Sequence, residues 1–113
     1  MNVINRNGEF FNITLDVLFL KEDHLIVAFC PALDLTSYGD DTKDAQAAFD
    51  DALQIFIEES VKRGSLEKQL LSLGWSMVKK PVLNYTPPTI SFSDLMESYN
   101  PIKSRKVQVA LPV

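Results

Sequence analysis

The stretch FCPALDLTSYGDDTKDAQAAF, Phe29 to Phe49, decides how the rest of the chain is read. It passes from the apolar end of a strand through Pro31 and Asp34 to Leu35–Tyr38, then through Gly39-Asp40 into an alanine-rich run. Pro31 has no N–H for a strand ladder, so it ends the strand before it. Asp41 and Thr42 are both good N-caps, and Asp44 puts negative charge in the first turn, where the helix dipole favours it. Ala45, Ala48, Phe49, Ala52, Leu53 and Phe56 then fall on one helical face. Gln46, Asp50, Asp51, Gln54, Glu58 and Lys62 fall on the other.

Upstream, Phe11, Ile13, Leu15, Val17 and Phe19 alternate with Asn12, Thr14, Asp16 and Leu18 over Phe10 to Leu20, the period of a half-buried strand. Lys21-Glu22-Asp23 is a compact polar turn, so His24 to Cys30 returns antiparallel. That return strand is apolar on both faces, which places it near the middle of a sheet. Leu35 to Tyr38 predicts a short third strand. Downstream, Gly64 suits the left-handed end of the principal helix, and Ser65 caps a short second helix carrying Leu66, Leu70, Leu71 and Leu73, stopped by Gly74. Trp75 to Tyr85 reads as extended, interrupted at Pro81. Thr86-Pro87-Pro88 is a stiff break, and it divides a domain over residues 1–85 from a C-terminal extension over 86–113. The extension predicts a helix over Ser93 to Tyr99 and a last strand over Lys106 to Leu111. The fold class is α+β: a small antiparallel sheet of three to four strands, one principal helix packed on it, a short second helix and the extension.

The chain has 113 residues and a formal net charge of -4, which suits one domain and lacks the basic surface that nucleic-acid binding uses. Lys103-Ser104-Arg105-Lys106 is the best basic patch and reads as a solvated strand flank. The single cysteine, Cys30, permits no internal disulfide, and no apolar run reaches membrane-spanning length, so a cytosolic protein is expected. The N-terminus has no signal-peptide core.

Asp16, Asp34, Asp40, Asp41 and Asp44 invite a metal reading, because hard cations want several oxygen ligands. Their spacing fits no known loop, and turn and cap roles account for Asp40, Asp41 and Asp44. His24, the one histidine, has no nucleophile or orienting partner in a recognisable motif. Cys30, on a strand apolar on both faces, predicts a buried and inert thiol. Phe11, Phe19, Phe29, Phe49 and Phe56 are core candidates, and packing also suits Trp75. Tyr38, Tyr85, Phe92 and Tyr99 have no interleaved basic residues to make a base-stacking surface. No catalytic residue, metal or cofactor is indicated.

Taken as a whole, the opening stretch resembles the HicB family of type II antitoxins. The fingerprint residues here are Pro31, Leu33, Asp34, Leu35, Gly39, Asp40, Thr42, Asp44, Ala45, Ala52 and Leu53, in the order strand, strand, Pro, short strand, Gly-Asp, Thr, alanine-rich helix. The likeness covers Phe11 to Ile57. It departs from the family where Asp34 stands three residues after Pro31 and where Asp41 is inserted before Thr42. Lys106 to Pro112 resembles the strand that opens a ribbon-helix-helix, but the helices do not follow, so DNA binding is not implied. The resemblance implies a bacterial, non-catalytic interaction domain of β-β-β-α-β order that masks a small basic mRNA-cleaving toxin. Asp44, Asp50, Asp51, Glu58 and Glu59 on the outer helix face would form the partner-binding face. An exposed sheet edge predicts a homodimer. The alternative reading is a metal-dependent enzyme of ribonuclease-H-like ancestry that handles RNA or nucleotides through Asp16 and Asp34.

Overall fold

A computed structural model describes residues 10–78, 84–88 and 91–112 of the chain. Its element order is β1 (Phe10–Glu22), β2 (Leu25–Cys30), β3 (Leu35–Gly39), α1 (Thr42–Lys62), α2 (Leu66–Ser72), β4 (Ser76–Val78), β5 (Asn84–Thr86), α3 (Phe92–Tyr99) and β6 (Lys103–Pro112). The main sheet has the order β3-β2-β1-β6 and is antiparallel throughout, while β4 and β5 form a separate two-stranded ribbon.

The first hairpin turns at Asp23, whose φ of 56° lies in the left-handed region that Asp tolerates better than most residues. The second turn spans Pro31 to Asp34, held by Leu33 N–H to the Cys30 carbonyl and Asp34 N–H to the Pro31 carbonyl, both at 3.3 Å. Asp34 there has φ 50°, which explains an aspartate at the turn's end without any ligand role.

Helix α1 begins as its sequence dictates. The Asp41 carboxylate accepts from Asp44 N–H at 2.7 Å, capping one free donor of the first turn, and the Asp44 carboxylate accepts from the N–H of Asp40, the residue before the cap, at 2.9 Å. Of the two N-cap candidates, Asp41 takes the position and Thr42 is the first helical residue. The helix ends in a Schellman motif: Gly64 has φ 67°, its N–H donates to Val61, and Ser65 N–H donates to Ser60 at 2.8 Å. The same device closes α2, with Gly74 at φ 94° and Trp75 N–H donating to Leu70 at 3.0 Å. Ser65 precedes α2 but makes no side-chain cap; its hydroxyl instead accepts from Gln69 Nε2 at 2.8 Å. The third helix starts from Ser91, whose hydroxyl accepts from Asp94 N–H at 3.1 Å, earlier than the sequence reading placed it.

The core lies between the sheet and α1. Leu15, Val17, Phe19, Ala28, Cys30, Val109 and Leu111 face Ala45, Phe49, Leu53 and Ile57, and Trp75, Leu66 and Leu70 close one end. Ala48, Ala52 and Phe56 are only half-buried, so the inward face is turned slightly from the expected one and also buries Ser60. Each large side chain so buried contributes about 1.5–3 kcal/mol of transfer free energy.

The other face of the sheet is covered too. Leu18 is fully buried and Val27 nearly so, and the Phe29 ring meets Tyr99 of α3 with centroids 5.3 Å apart. That contact supplies the reason for a β2 apolar on both faces: α1 takes Ala28 and Cys30, and α3 lies against Phe29.

The stretch Trp75 to Tyr85, read as extended, contributes β4 and most of β5, which pair with each other and not with the main sheet; Pro81 lies outside the described residues. The fourth strand is β6, longer than expected, which pairs with β1 at ten positions from Phe10↔Pro112 to Phe19↔Lys103. The segment after Thr86 therefore completes the sheet of the preceding residues.

Gly39 permits a close approach between two elements. A Cβ there would overlap Ala45 N and stand 2.6 Å from the Asp44 carbonyl carbon, so the glycine lets β3 touch the first turn of α1. Gly39→Ala is expected to destabilise the fold by about 2–3 kcal/mol through backbone overpacking, as read by urea unfolding. The Trp75 indole N–H donates to the Ala32 carbonyl at 2.8 Å in a buried bond. Trp75→Phe should cost about 1–3 kcal/mol by leaving that carbonyl unpaired, measured in the same way.

Candidate interaction surface

The carboxylates singled out for a metal do not converge. Asp16, on β1, faces its cross-strand neighbour Lys106, with Nζ to Oδ1 at 2.7 Å. Asp34 is exposed in the β2–β3 turn, and Asp40, Asp41 and Asp44 are committed to the start of α1. Among the described residues no group of three or more His, Cys, Asp or Glu is placed to hold a metal ion. The Asp16–Lys106 pair is mainly exposed on the lysine side and contributes at most about 1 kcal/mol.

His24 is exposed in the first hairpin turn, on an open cleft of about 590 Å³ shared with Lys21, Asp40, Asp41 and Ile102. Burial pushes the Cys30 thiol up from 9.0 to about 11, with hydrogen bonds from the Leu33 and Ala32 backbone opposing the shift. Such a thiol is protonated and shielded, the opposite of a nucleophile. Tyr38 is exposed, Tyr99 packs on Phe29, and Lys103, Arg105 and Lys106 form the start of β6. Backbone positions place Tyr85 in β5 and Phe92 in α3.

What the fold does bring together is an acidic surface on α1. Asp44, Asp50, Asp51, Glu58 and Glu59 are all exposed. Their spacing puts Asp44, Asp51 and Glu58, each seven residues on, along one stripe of a 3.6-residue helix. Glutamines stiffen part of it: Gln46 Nε2 donates to Asp50 at 2.7 Å and Gln54 Nε2 to Glu58 at 2.9 Å. Glu59 lies 3.8 Å from Arg63, a weak exposed pair. Asp44 spends one carboxylate oxygen on the cap, so its charge remains but that lone pair is occupied.

The residue that sequence reading passed over is Ile55. It is 59% exposed, four residues from Asp51 and Glu59 and three from Glu58. The signal was present in the sequence, since position 55 lies nearly opposite the buried Leu53 and Ile57 face on a helical wheel. A lone exposed isoleucine is ordinary on a surface. With Asp51, Glu58 and Glu59 one turn away on the helix, it is an apolar side chain with carboxylates around it.

Among the described residues no helix is long and apolar enough to cross a membrane. No family model, curated protein or solved structure matches this chain.

The Cys30 environment sets a further expectation. In the folded protein the thiol should resist a disulfide-exchange reagent at pH 8 and react only on unfolding. Because the folded thiol ionises at about 11 and the unfolded one near 9.0, stability should hold below pH 9 and fall as pH rises toward 11. Thiol titration with and without denaturant, and unfolding at stepped pH, check the two halves.

Proposed function

We propose that this chain is a non-catalytic, HicB-like protein-interaction domain, an antitoxin that works as a homodimer in the bacterial cytoplasm and masks a small basic mRNA-cleaving toxin. The observation that carries the reading is the α1 surface, where Asp51, Glu58 and Glu59 surround the exposed Ile55. An acidic rim steers a basic partner and fixes its orientation, while a central apolar side chain supplies the dry contact. The sheet-and-helix architecture is of the kind the HicB resemblance implies, and the acidic caps need no chemistry beyond folding. Masking is the natural mode of action for such a surface: a catalytic site that attacks RNA is basic, and an acidic helix laid across it competes with the phosphate backbone.

The test is affinity capture of the tagged chain from its native cells, followed by ribonuclease assays on what it retains. A stoichiometric small basic protein whose RNA cleavage the chain suppresses is the expected result. Asp51→Lys with Glu58→Lys should weaken that complex about a hundredfold at low salt while leaving thermal unfolding unchanged, since both side chains are exposed. Ile55→Ala should weaken it about tenfold with little salt dependence. A captured partner indifferent to all three substitutions contradicts the assignment of the surface.

A further inference from the structure

The main sheet has two edges, and they differ. β3 is a short edge of five residues that packs closely against α1. β6 is ten residues long, and no described strand pairs with its outer side. A long edge with unpaired N–H and C=O groups is a template for another strand unless something blocks it. Two features of β6 bear on what that strand is. Its first half carries Lys103, Arg105 and Lys106, whereas Val107 and Ala110 in its second half are uncharged and half-buried. Beside the second half runs a groove of about 270 Å³ between β6 and α1, lined by Asp50, Asp51, Leu53, Gln54, Val107 and Gln108.

We infer that β6 is the homodimer interface, pairing antiparallel with β6 of a second copy about a two-fold axis at Val107 to make one continuous eight-stranded sheet. The occupant follows from charge. The lip of the groove is acidic, and the segment that would reach it in a symmetric pair is the basic half of the same strand. Charge and the groove together set the register. A two-fold axis at Arg105 would set Arg105 against its own copy, a like-charge pair directly opposite and destabilising. An axis at Val107 sets Val107 against Val107, Lys106 against Gln108 and Arg105 against Val109; among the registers in which no two cations face each other, it is the one that brings the partner's Arg105 nearest the groove at Val107.

Face matters as well. Arg105 and Lys103 stand opposite Val17 and Phe19 in the β1–β6 ladder, hence on the α1 side of the sheet. In the dimer the partner's Arg105 is therefore a diagonal neighbour of Val107, about 7–8 Å away and within reach of a long side chain. Asp50 lines the groove at that point and is the acceptor for that arginine. Lys106 is kept out of this contact by its bond to Asp16 on the opposite face.

This inference deepens the homodimer part of the proposed function and is independent of any toxin, so its test uses the full chain alone. Sedimentation equilibrium should show a dimer whose dissociation constant rises about tenfold with Arg105→Glu and returns toward the original when Asp50→Lys is added to the same chain. Val107→Cys, a mild change in volume, should form an intermolecular disulfide under gentle oxidation, because antiparallel partners at a two-fold axis bring the same residue together. Ser72→Cys, exposed on α2, should not. A chain that stays monomeric to about 1 mM overturns both the dimer and its interface. A dimer that is insensitive to Arg105→Glu and fails to cross-link through Val107→Cys overturns the β6 interface alone and leaves the dimer standing.

Discussion

The constraint on which the rest of this fold depends is the length of β1. It runs for thirteen residues, more than twice the length of β2 beside it. Pairing with β2 covers only Leu18 to Glu22, whereas pairing with β6 covers Phe10 to Phe19. The two ladders overlap at Leu18 and Phe19 alone, and there β1 is buried on both faces. The first half of β1 is thus held in the sheet by β6, a strand from the far end of the chain. Beside that half, where β2 has ended, the Pro31–Asp34 turn comes in and Trp75 locks it through the Ala32 carbonyl. The sheet is consequently a long-range object, closed only when the last segment is in place.

Helix α1 occupies the opposite end of that arrangement, over β2 and β3. Its approach is set by a backbone contact, Gly39 against Asp44 and Ala45, and its inward residues Phe49, Leu53 and Ile57 then fall on the β1–β2 core. Once one face is fixed in this way, the outward stripe is fixed too. Asp51, Ile55 and Glu58 point away from the sheet because Leu53 and Ile57 point into it. The chemistry of the surface is therefore a consequence of the packing below it, and a substitution on the stripe can alter contacts without disturbing the core.

Much of this was legible in the sequence where one local rule decides a position. Period-two alternation found β1, Pro31 ended β2, Asp41 and Asp44 marked the start of α1, and Gly64 and Gly74 marked the ends of two helices. What was not legible depends on distant partners. The partner of β6 cannot be read from its own residues, since alternation gives a strand its faces and not its neighbour. The apolar second face of β2 was visible, but α3 as its cover was not, because Tyr99 is separated from Phe29 by most of the chain. Gly39 carries no local sign of the close approach to Asp44 and Ala45 that it permits. Ile55 breaks no local rule, since a single exposed apolar side chain on a helix is ordinary.

The acidic residues cap α1 and pair across the sheet, and the proposed function adds protein contact in place of a catalytic metal. Calorimetric titration of the folded chain with Mn²⁺ tests it most directly, with nucleotide and RNA hydrolysis followed in parallel. No stoichiometric binding and no metal-dependent hydrolysis are expected. Binding at one site per chain that disappears with Asp16→Asn or Asp34→Asn, together with hydrolysis that disappears with it, would contradict the account and establish a ribonuclease-H-like enzyme instead.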